Sequence, residues 1–113
     1  MSGAEREVAD FLKKLNLWWI YQAPVFVYHD KERPRVWTPD FYLSNLGIYI
    51  EVCGREDIDY AYRERIYKKN RFNVIFLHLF KENSWKNYLI KRIFEIENYR
   101  HDETLKIIRS FKF

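Results

Sequence analysis

The sequence is poor in cysteine, glycine and proline, with one, three and three of these residues among 113. The lone Cys53 excludes an internal disulfide and is typical of a reducing cytoplasm, where we expect this intracellular protein to act. The few glycines are not spaced as in a phosphate-binding loop. No apolar run approaches the ~20 residues of a membrane span, and the N-terminus lacks the cationic start and apolar block of a signal peptide. We therefore expect a cytoplasmic protein with no membrane partner.

Hydrophobic and charged residues, by contrast, are plentiful. Hydrophobic residues make up 48% and aromatic residues 19% of the chain, which is enough for one core, and the length fits a single domain over 1–113. Charge is unevenly spread: through Gly54 there are 6 Lys and Arg against 7 Asp and Glu, and from Arg55 onward there are 14 against 9. A basic second half suits a phosphate backbone, although a modest cationic excess is also common in chains that bind no nucleic acid.

The hydrophobic periodicity predicts an α/β fold with the order α-β-β-β-α-β, followed by a helix and a tail. That order favours a mixed sheet flanked by helices, with a core over about 4–79 and a C-terminal extension over about 84–113. The tail fits a strand through Leu105 and Ile107 or a helix through Leu105 and Ile108. The predicted elements are a helix at 4–15, a strand at 17–28 broken near Pro24, strands at 37–43 and 48–53, a helix at 57–70, a strand at 73–79, and a helix capped by Ser84 with the stripe Trp85, Leu89, Ile93 and Ile96.

The hairpin formed by the strands at 37–43 and 48–53 carries the candidate chemistry. If Leu43 pairs with Ile48 across the four-residue loop, Asp40 lies opposite Glu51, with Cβ atoms roughly 4.5–5.5 Å apart. The alternation of side chains then places Asp40, Glu51 and Cys53 on one face, together with Tyr42 and Tyr49. The opposite face, with Phe41, Leu43, Ile48, Ile50 and Val52, is the predicted core face.

Two carboxylates facing each other in a sheet destabilise it unless a positive charge lies between them. A divalent cation with hard oxygen ligands, Mg²⁺ or Mn²⁺, meets that need, since Mg²⁺ typically takes one or two carboxylates and keeps several waters. The alternatives are a solvated pair of carboxylates, or an aspartate that caps a turn.

Glu5 is a second candidate, because it lies on the same helical stripe as Val8, Ala9 and Leu12 and points toward the core side. It is either a helix-start charge satisfied near the helix dipole or a third metal ligand.

The segments Thr38-Pro39-Asp40-Phe41 and Ile50-Glu51-Val52-Cys53-Gly54 resemble the PD-(D/E)XK nucleases, the restriction-endonuclease-like superfamily. The resemblance covers about 4–79 and includes the order of the elements, so it implies a restriction-endonuclease-like αβββαβ core. It further implies that Asp40 and Glu51 bind the metal near the Val52 carbonyl, that Glu5 joins them, and that Gln22 borders the pocket.

One position departs from this pattern, because Cys53 stands where the superfamily has a lysine. A thiol supplies no positive charge beside carboxylates. The resemblance implies that the cation can lie on the following helix instead, as in some relatives, and here that helix offers Arg63, Arg65, Lys68 and Lys69. Of the cations there, Arg65 and Lys69 share the stripe of Tyr62 and Ile66, so they are predicted to lean toward the sheet. Arg65 is the expected replacement for the missing lysine. The alternative is that each is an ordinary solvated cation on the helix surface.

The resemblance implies a metal-dependent endonuclease that hydrolyses phosphodiester bonds in DNA, duplex or branched, with Mg²⁺ or Mn²⁺. One domain of this size covers little duplex, so a homodimer that cuts both strands is a further expectation. Two alternatives stay open: a catalytically degenerate domain that binds nucleic acid, with Cys53 marking a lost activity, and a structural or assembly protein that keeps the fold for its stability.

Overall fold

A computed structural model describes residues 1–29, 33–54, 59–81 and 84–111 of the chain. These residues form an α/β fold with a mixed sheet, as the sequence predicts. None of the described helices is long and apolar enough to cross a membrane. The elements, in chain order, are α1 (Gly3–Lys14), β1 (Ile20–Tyr21), β2 (Val25–Val27), β3 (Arg35–Trp37), β4 (Phe41–Leu43), β5 (Ile48–Cys53), α2 (Tyr60–Lys69), β6 (Val74–His78), a 3₁₀ helix (Leu79–Lys81) and α3 (Ser84–Ser110).

The main sheet has the strand order β1-β4-β5-β6. β4 pairs antiparallel with both β1 and β5, whereas β6 runs parallel to β5. A parallel neighbour requires a crossover, and α2 provides it between β5 and β6. β2 and β3 pair only with each other, as a separate two-stranded antiparallel ribbon.

The predicted register of the β4–β5 hairpin is confirmed. Leu43 pairs with Ile48, Tyr42 with Tyr49, and Phe41 with Ile50. The tight turn depends on Gly47, which adopts a left-handed φ of 62° that glycine tolerates at low cost, and its N–H donates to the Leu43 carbonyl at 2.8 Å. One step beyond the paired residues, the same register brings Asp40 beside Glu51.

Both faces of the main sheet are covered. The predicted core face packs under α1 and α3 in one buried cluster, whose members include Val8, Leu12, Phe41, Leu43, Ile48, Ile50, Trp85 and Leu89. The opposite face packs under α2 and the ribbon in a second cluster, formed by Val25, Val27, Cys53, Ile66, Tyr67 and Phe76. The candidate carboxylates therefore lie on a face that is itself largely buried, where charges need partners.

The predicted break near Pro24 in the strand at 17–28 is confirmed, because Gln22 adopts a left-handed φ of 54° and Pro24 lacks the N–H that a ladder needs. The extent is wrong, since the strand begins at Ile20 and its two parts belong to the main sheet and to the ribbon. The predicted strand at 37–43 is also wrong in extent, because it breaks at Pro39, so Trp37 belongs to the ribbon and Phe41 to the main sheet.

The helices after β5 agree with the prediction except at their ends. α2 begins at Tyr60, where the Asp59 carboxylate accepts the Ala61 N–H at 3.0 Å, and the predicted residues 57 and 58 lie outside the described residues. The expected stripe of α3 is confirmed, with Trp85, Leu89 and Ile96 buried and Ile93 packed against them. Ser84 is already helical, and the tail continues as helix to Ser110 rather than forming a strand.

Candidate functional site

Asp40 is fixed against the backbone of the neighbouring strand. It directly follows the buried Pro39, and its Oδ2 accepts the N–H of Val52 at 2.7 Å. Burial raises the pKa of Asp40, the nearby negative charge of Glu5 adds to the rise, and the Val52 N–H and the Arg63 guanidinium oppose it. Asp40 is thus a half-buried carboxylate whose charge is incompletely compensated.

Glu51 is one of the few buried charged groups of the described residues, with 7% of its surface exposed. Its Oε1 accepts the Tyr67 hydroxyl at 3.0 Å and the Arg63 Nη2 at 3.3 Å. Burial raises the pKa of Glu51 and the charge of Asp40 raises it further, whereas Arg63 and Tyr67 act in the opposite direction. The carboxylate of Asp40 therefore adds to the cost of keeping Glu51 charged in this buried position.

The cation at this pair is Arg63. Its guanidinium lies 4.5 Å from the centre of the Trp37 ring and 5.7 Å from that of Tyr67, and it donates to the Tyr67 hydroxyl at 3.3 Å. Stacking on two aromatic rings and bonding to a carboxylate restrict a side chain that would otherwise sample many rotamers. Arg63 therefore holds its charge at Glu51 in a defined place.

The orientation predicted for Arg65 and Lys69 is wrong, because both are exposed. The guanidinium of Arg65 lies 5.4 Å from the centre of the exposed Tyr62 ring. The inward stripe of α2 is instead Tyr60, Arg63, Ile66, Tyr67 and Asn70, which are the buried or partly buried residues at helical spacing. The sequence signal for this phase is the four-residue spacing of Arg63 and Tyr67, which marks one face.

Glu5 forms the helix-start arrangement that was one of its two predicted roles. Its backbone N–H and carboxylate make a capping box with Ser2, and its Oε2 also accepts the Tyr21 hydroxyl at 2.6 Å. Partial burial acts to raise the pKa of Glu5, but the hydrogen bonds from Tyr21 and Ser2 outweigh it and the pKa is lowered. Its role as a third metal ligand stays a prediction.

Gln22 contacts Asp40 through the backbone, and its expected place at the border of the pocket stays a prediction. Its N–H donates to the Asp40 carbonyl at 2.9 Å, and its side-chain amide donates to the Tyr21 hydroxyl at 3.4 Å. Gln22 and Tyr21 thereby link Asp40 to the carboxylate of Glu5. Tyr21 is a site-bordering residue that the sequence analysis missed, since its ring reads as an ordinary sheet residue.

Cys53 shares the face of Glu51, as the alternation predicts, but it is wholly buried. Its thiol lies 3.8 Å from the Glu51 carbonyl within the second core cluster. Burial raises the pKa of Cys53 to about 12, and the charges of Glu51 and Asp40 contribute to the rise. The thiol is therefore neutral at physiological pH and carries no charge for catalysis.

The carboxylates fit a site for one divalent cation with two protein ligands. The hydrogen bonds among the described residues engage one oxygen of each carboxylate, Oδ2 of Asp40 and Oε1 of Glu51. Mg²⁺ is commonly held by one or two carboxylates, with water and substrate phosphate completing its shell. Within the described part of the chain no three or more His, Cys, Asp or Glu side chains are gathered into a metal-binding group.

Comparison of the chain with protein-family models, with curated proteins and with solved structures finds no match in any of the three.

The raised pKa values of the pair have a consequence for stability. A carboxyl group whose pKa is higher in the native state than in the unfolded chain binds protons better when folded, so its ionisation weakens the fold as pH rises above about 4. Asp40→Asn keeps an oxygen that accepts the Val52 N–H and removes the charge. In EDTA at pH 8 we expect a Tm a few degrees above wild type, since 1 kcal/mol shifts the Tm of such a domain by about 2–8 °C.

The expected gain should shrink as the pH falls toward 4, where the wild-type carboxyl groups become protonated. Asp10→Asn is the matched control, because Asp10 is exposed on α1. A Tm of Asp40→Asn below that of wild type at pH 8 would show that Arg63 already overcompensates the pair.

Proposed function

We propose that this protein is a metal-dependent endonuclease that hydrolyses phosphodiester bonds in DNA. The observation that carries the proposal is the position of Asp40, one step beyond the Phe41–Ile50 pair of the β4–β5 hairpin and beside the buried Glu51, whose carboxylate bonds to a cation of α2. A buried pair of like charges costs stability, and a site that retains such a pair is a candidate for a charged ligand. The main sheet with its helices, taken without the ribbon, follows the order α1, β1, β4, β5, α2 and β6, and this order supports the likeness to the PD-(D/E)XK nucleases, as does the parallel β5–α2–β6 crossover.

In this proposal Asp40 and Glu51 hold Mg²⁺ or Mn²⁺, which when bound polarises a phosphoryl oxygen and activates water as the nucleophile. Arg63 supplies the positive charge that the superfamily takes from the lysine at the place of Cys53. Its position between Trp37 and Glu51 keeps the guanidinium beside the pair, where it stabilises charge developing on the phosphate. Tyr67 orients Glu51 through the hydroxyl bond to Oε1.

A second function, nucleic-acid binding without cleavage, is favoured by one observation. Glu51 already has a cation in Arg63, so its charge is partly satisfied without a metal. Together with the neutral thiol of Cys53, this arrangement is also what a degenerate nuclease domain would retain for stability.

The experiment that separates these functions is a plasmid-nicking assay with Mg²⁺ or with EDTA. The wild type is expected to convert supercoiled plasmid to nicked circles with Mg²⁺ only, and early linear product would fit the predicted homodimer. Asp40→Asn and Glu51→Gln should slow nicking at least about 1000-fold, since loss of metal-borne stabilisation is worth several kcal/mol. A wild type that shifts plasmid in a gel but never nicks it would establish the binding module, and one that does neither would leave the structural role.

A further inference from the structure

The β2–β3 ribbon has one buried and one exposed face. From residue 25 to residue 29 burial alternates strictly, with Val25, Val27 and His29 buried and Phe26 and Tyr28 exposed. Trp37 of β3 packs inward against Tyr67 with ring centres 5.1 Å apart. The ribbon therefore covers α2 with its inner face and turns Phe26 and Tyr28 outward.

The outer face is apolar and aromatic. Phe26 is 66% exposed, Tyr28 58% and Val36 57%, and Phe26 and Val36 are direct cross-strand partners. Side chains two apart on a strand lie about 6.5 Å from each other, so Phe26 and Tyr28 are neighbours on this face. A patch of exposed apolar side chains on one surface is typical of a site that contacts a partner.

The ribbon is hydrogen-bonded to α2, the helix that carries Arg63. The side chain of Asn70, at the end of α2, accepts the Tyr28 N–H at 2.8 Å and donates to the Tyr28 carbonyl at 3.1 Å. The Nδ1 of His29 lies 2.6 Å from the Tyr62 hydroxyl. Trp37 of the ribbon packs on the guanidinium of Arg63, and Arg63 in turn donates to Glu51, so the ribbon lies close to the carboxylate site.

The exposed residues of the ribbon and of α2 are mainly basic. Arg63 is paired with Glu51, and Arg35 shares the inner side of the ribbon with its cross-strand partner Val27. The other charged residues described in 25–37 and 59–72 are all exposed: the acids Asp59 and Glu64, and the cations Arg33, Arg65, Lys68, Lys69 and Arg71. A basic surface that contains exposed aromatic rings matches a polyanion with flat bases better than it matches a protein partner.

We propose that the outer face of the ribbon binds an unpaired nucleic-acid strand, whose bases stack on Phe26 and Tyr28 while the basic residues hold its phosphates. This inference rests on the proposed function, which makes the ligand a nucleic acid. It adds that the nucleic acid has an unpaired strand. Bases in a duplex stack on each other and hide their faces, so rings of this kind are accessible only to single-stranded or branched substrates. The preferred substrate is therefore nucleic acid with an unpaired segment next to the cleaved bond.

The test measures binding alone, by fluorescence anisotropy in EDTA, with a labelled single strand of about 15 nucleotides and with the matching blunt duplex. We expect the wild type to bind the single strand more tightly. Phe26→Ala should weaken single-strand binding roughly 5- to 150-fold, the range expected for one lost stacking contact, and should leave duplex binding nearly unchanged. Phe94→Ala is the matched control, because Phe94 on α3 is 64% exposed.

Equal loss in Phe26→Ala and Phe94→Ala, or a duplex bound as tightly as the single strand, would overturn the proposal. So would a Phe26→Ala protein that binds normally but sediments as a smaller species than wild type, because the ribbon would then be an interface between copies of the chain. Cleavage is not measured in this test. An inactive protein that still shows the Phe26-dependent preference would refute the proposed nuclease function and leave this inference standing.

Discussion

Cys53→Lys is expected to unfold the protein or to lower its Tm by more than about 10 °C. Cys53 is 0% exposed in the cluster that joins α2, the ribbon and the main sheet. A longer side chain overpacks this cluster, and an ammonium group there loses its hydration, while the nearby Glu51 is already paired with Arg63. A lysine at position 53 therefore introduces a second cation beside Glu51, where Arg63 already supplies one.

Thermal unfolding followed by circular dichroism measures this effect, and Cys53→Val is the control because it replaces the thiol with an apolar group of similar size. The control should lose no more than about 1.5 kcal/mol. A Cys53→Lys protein as stable as wild type would show that the space beside Glu51 is open, and the assignment of the cation to Arg63 would fail.

Arg63→Ala should lower the rate of Mg²⁺-dependent cleavage about 100- to 1000-fold, which is the usual cost of removing one group that stabilises developing charge. Arg65→Ala should stay near the wild-type rate. The two arginines are two residues apart on α2, yet only Arg63 contacts Glu51, whereas Arg65 lies over the exposed Tyr62 ring. The comparison separates a charge at the site from the general charge of the helix.

The cleavage rates should be measured at saturating Mg²⁺, with the Tm of each variant recorded in the same buffer so that unfolding is not mistaken for lost catalysis. Arg63→Lys keeps the charge but lacks the planar group that stacks on Trp37, and we expect it to recover part of the activity. Equal losses in Arg63→Ala and Arg65→Ala would contradict a specific role for Arg63.

The β4–β5 hairpin was predictable because two local rules agree on it. Side chains alternate with a period of two, and a four-residue loop closed by Leu43 and Ile48 fixes the register, so the neighbouring places of Asp40 and Glu51 follow from the sequence. The stripe of α3 was predictable for a similar reason, since Trp85 and Leu89 are neighbours on one helical face.

The ribbon could not be predicted, because its strands read as parts of longer ones. Gln22 takes a left-handed φ that its residue type does not demand, and this redirects the chain before Val25. Because the chain is redirected there, the ribbon covers the sheet face that carries Cys53. The position of Trp37 over Arg63 depends on the same change of direction. Tertiary packing overrides local strand preference at these places.

The phase of α2 was mispredicted for a related reason. An amphipathic stripe through Tyr62 and Ile66 is plausible on periodicity alone, whereas the helix turns Arg63 and Tyr67 inward because Glu51 and Trp37 offer them partners. Such partners come from distant parts of the chain, so the spacing of Arg63 and Tyr67 marks a shared face but does not say that this face turns inward.

The proposed nuclease activity requires Asp40 and Glu51 to hold a divalent metal ion together. Anomalous diffraction from crystals soaked in Mn²⁺ locates such an ion, with wild type and Asp40→Asn compared under the same conditions. We expect an anomalous peak between the two carboxylates of the wild type and no peak in Asp40→Asn. A wild-type map without that peak, with Arg63 still bonded to Glu51, would contradict it.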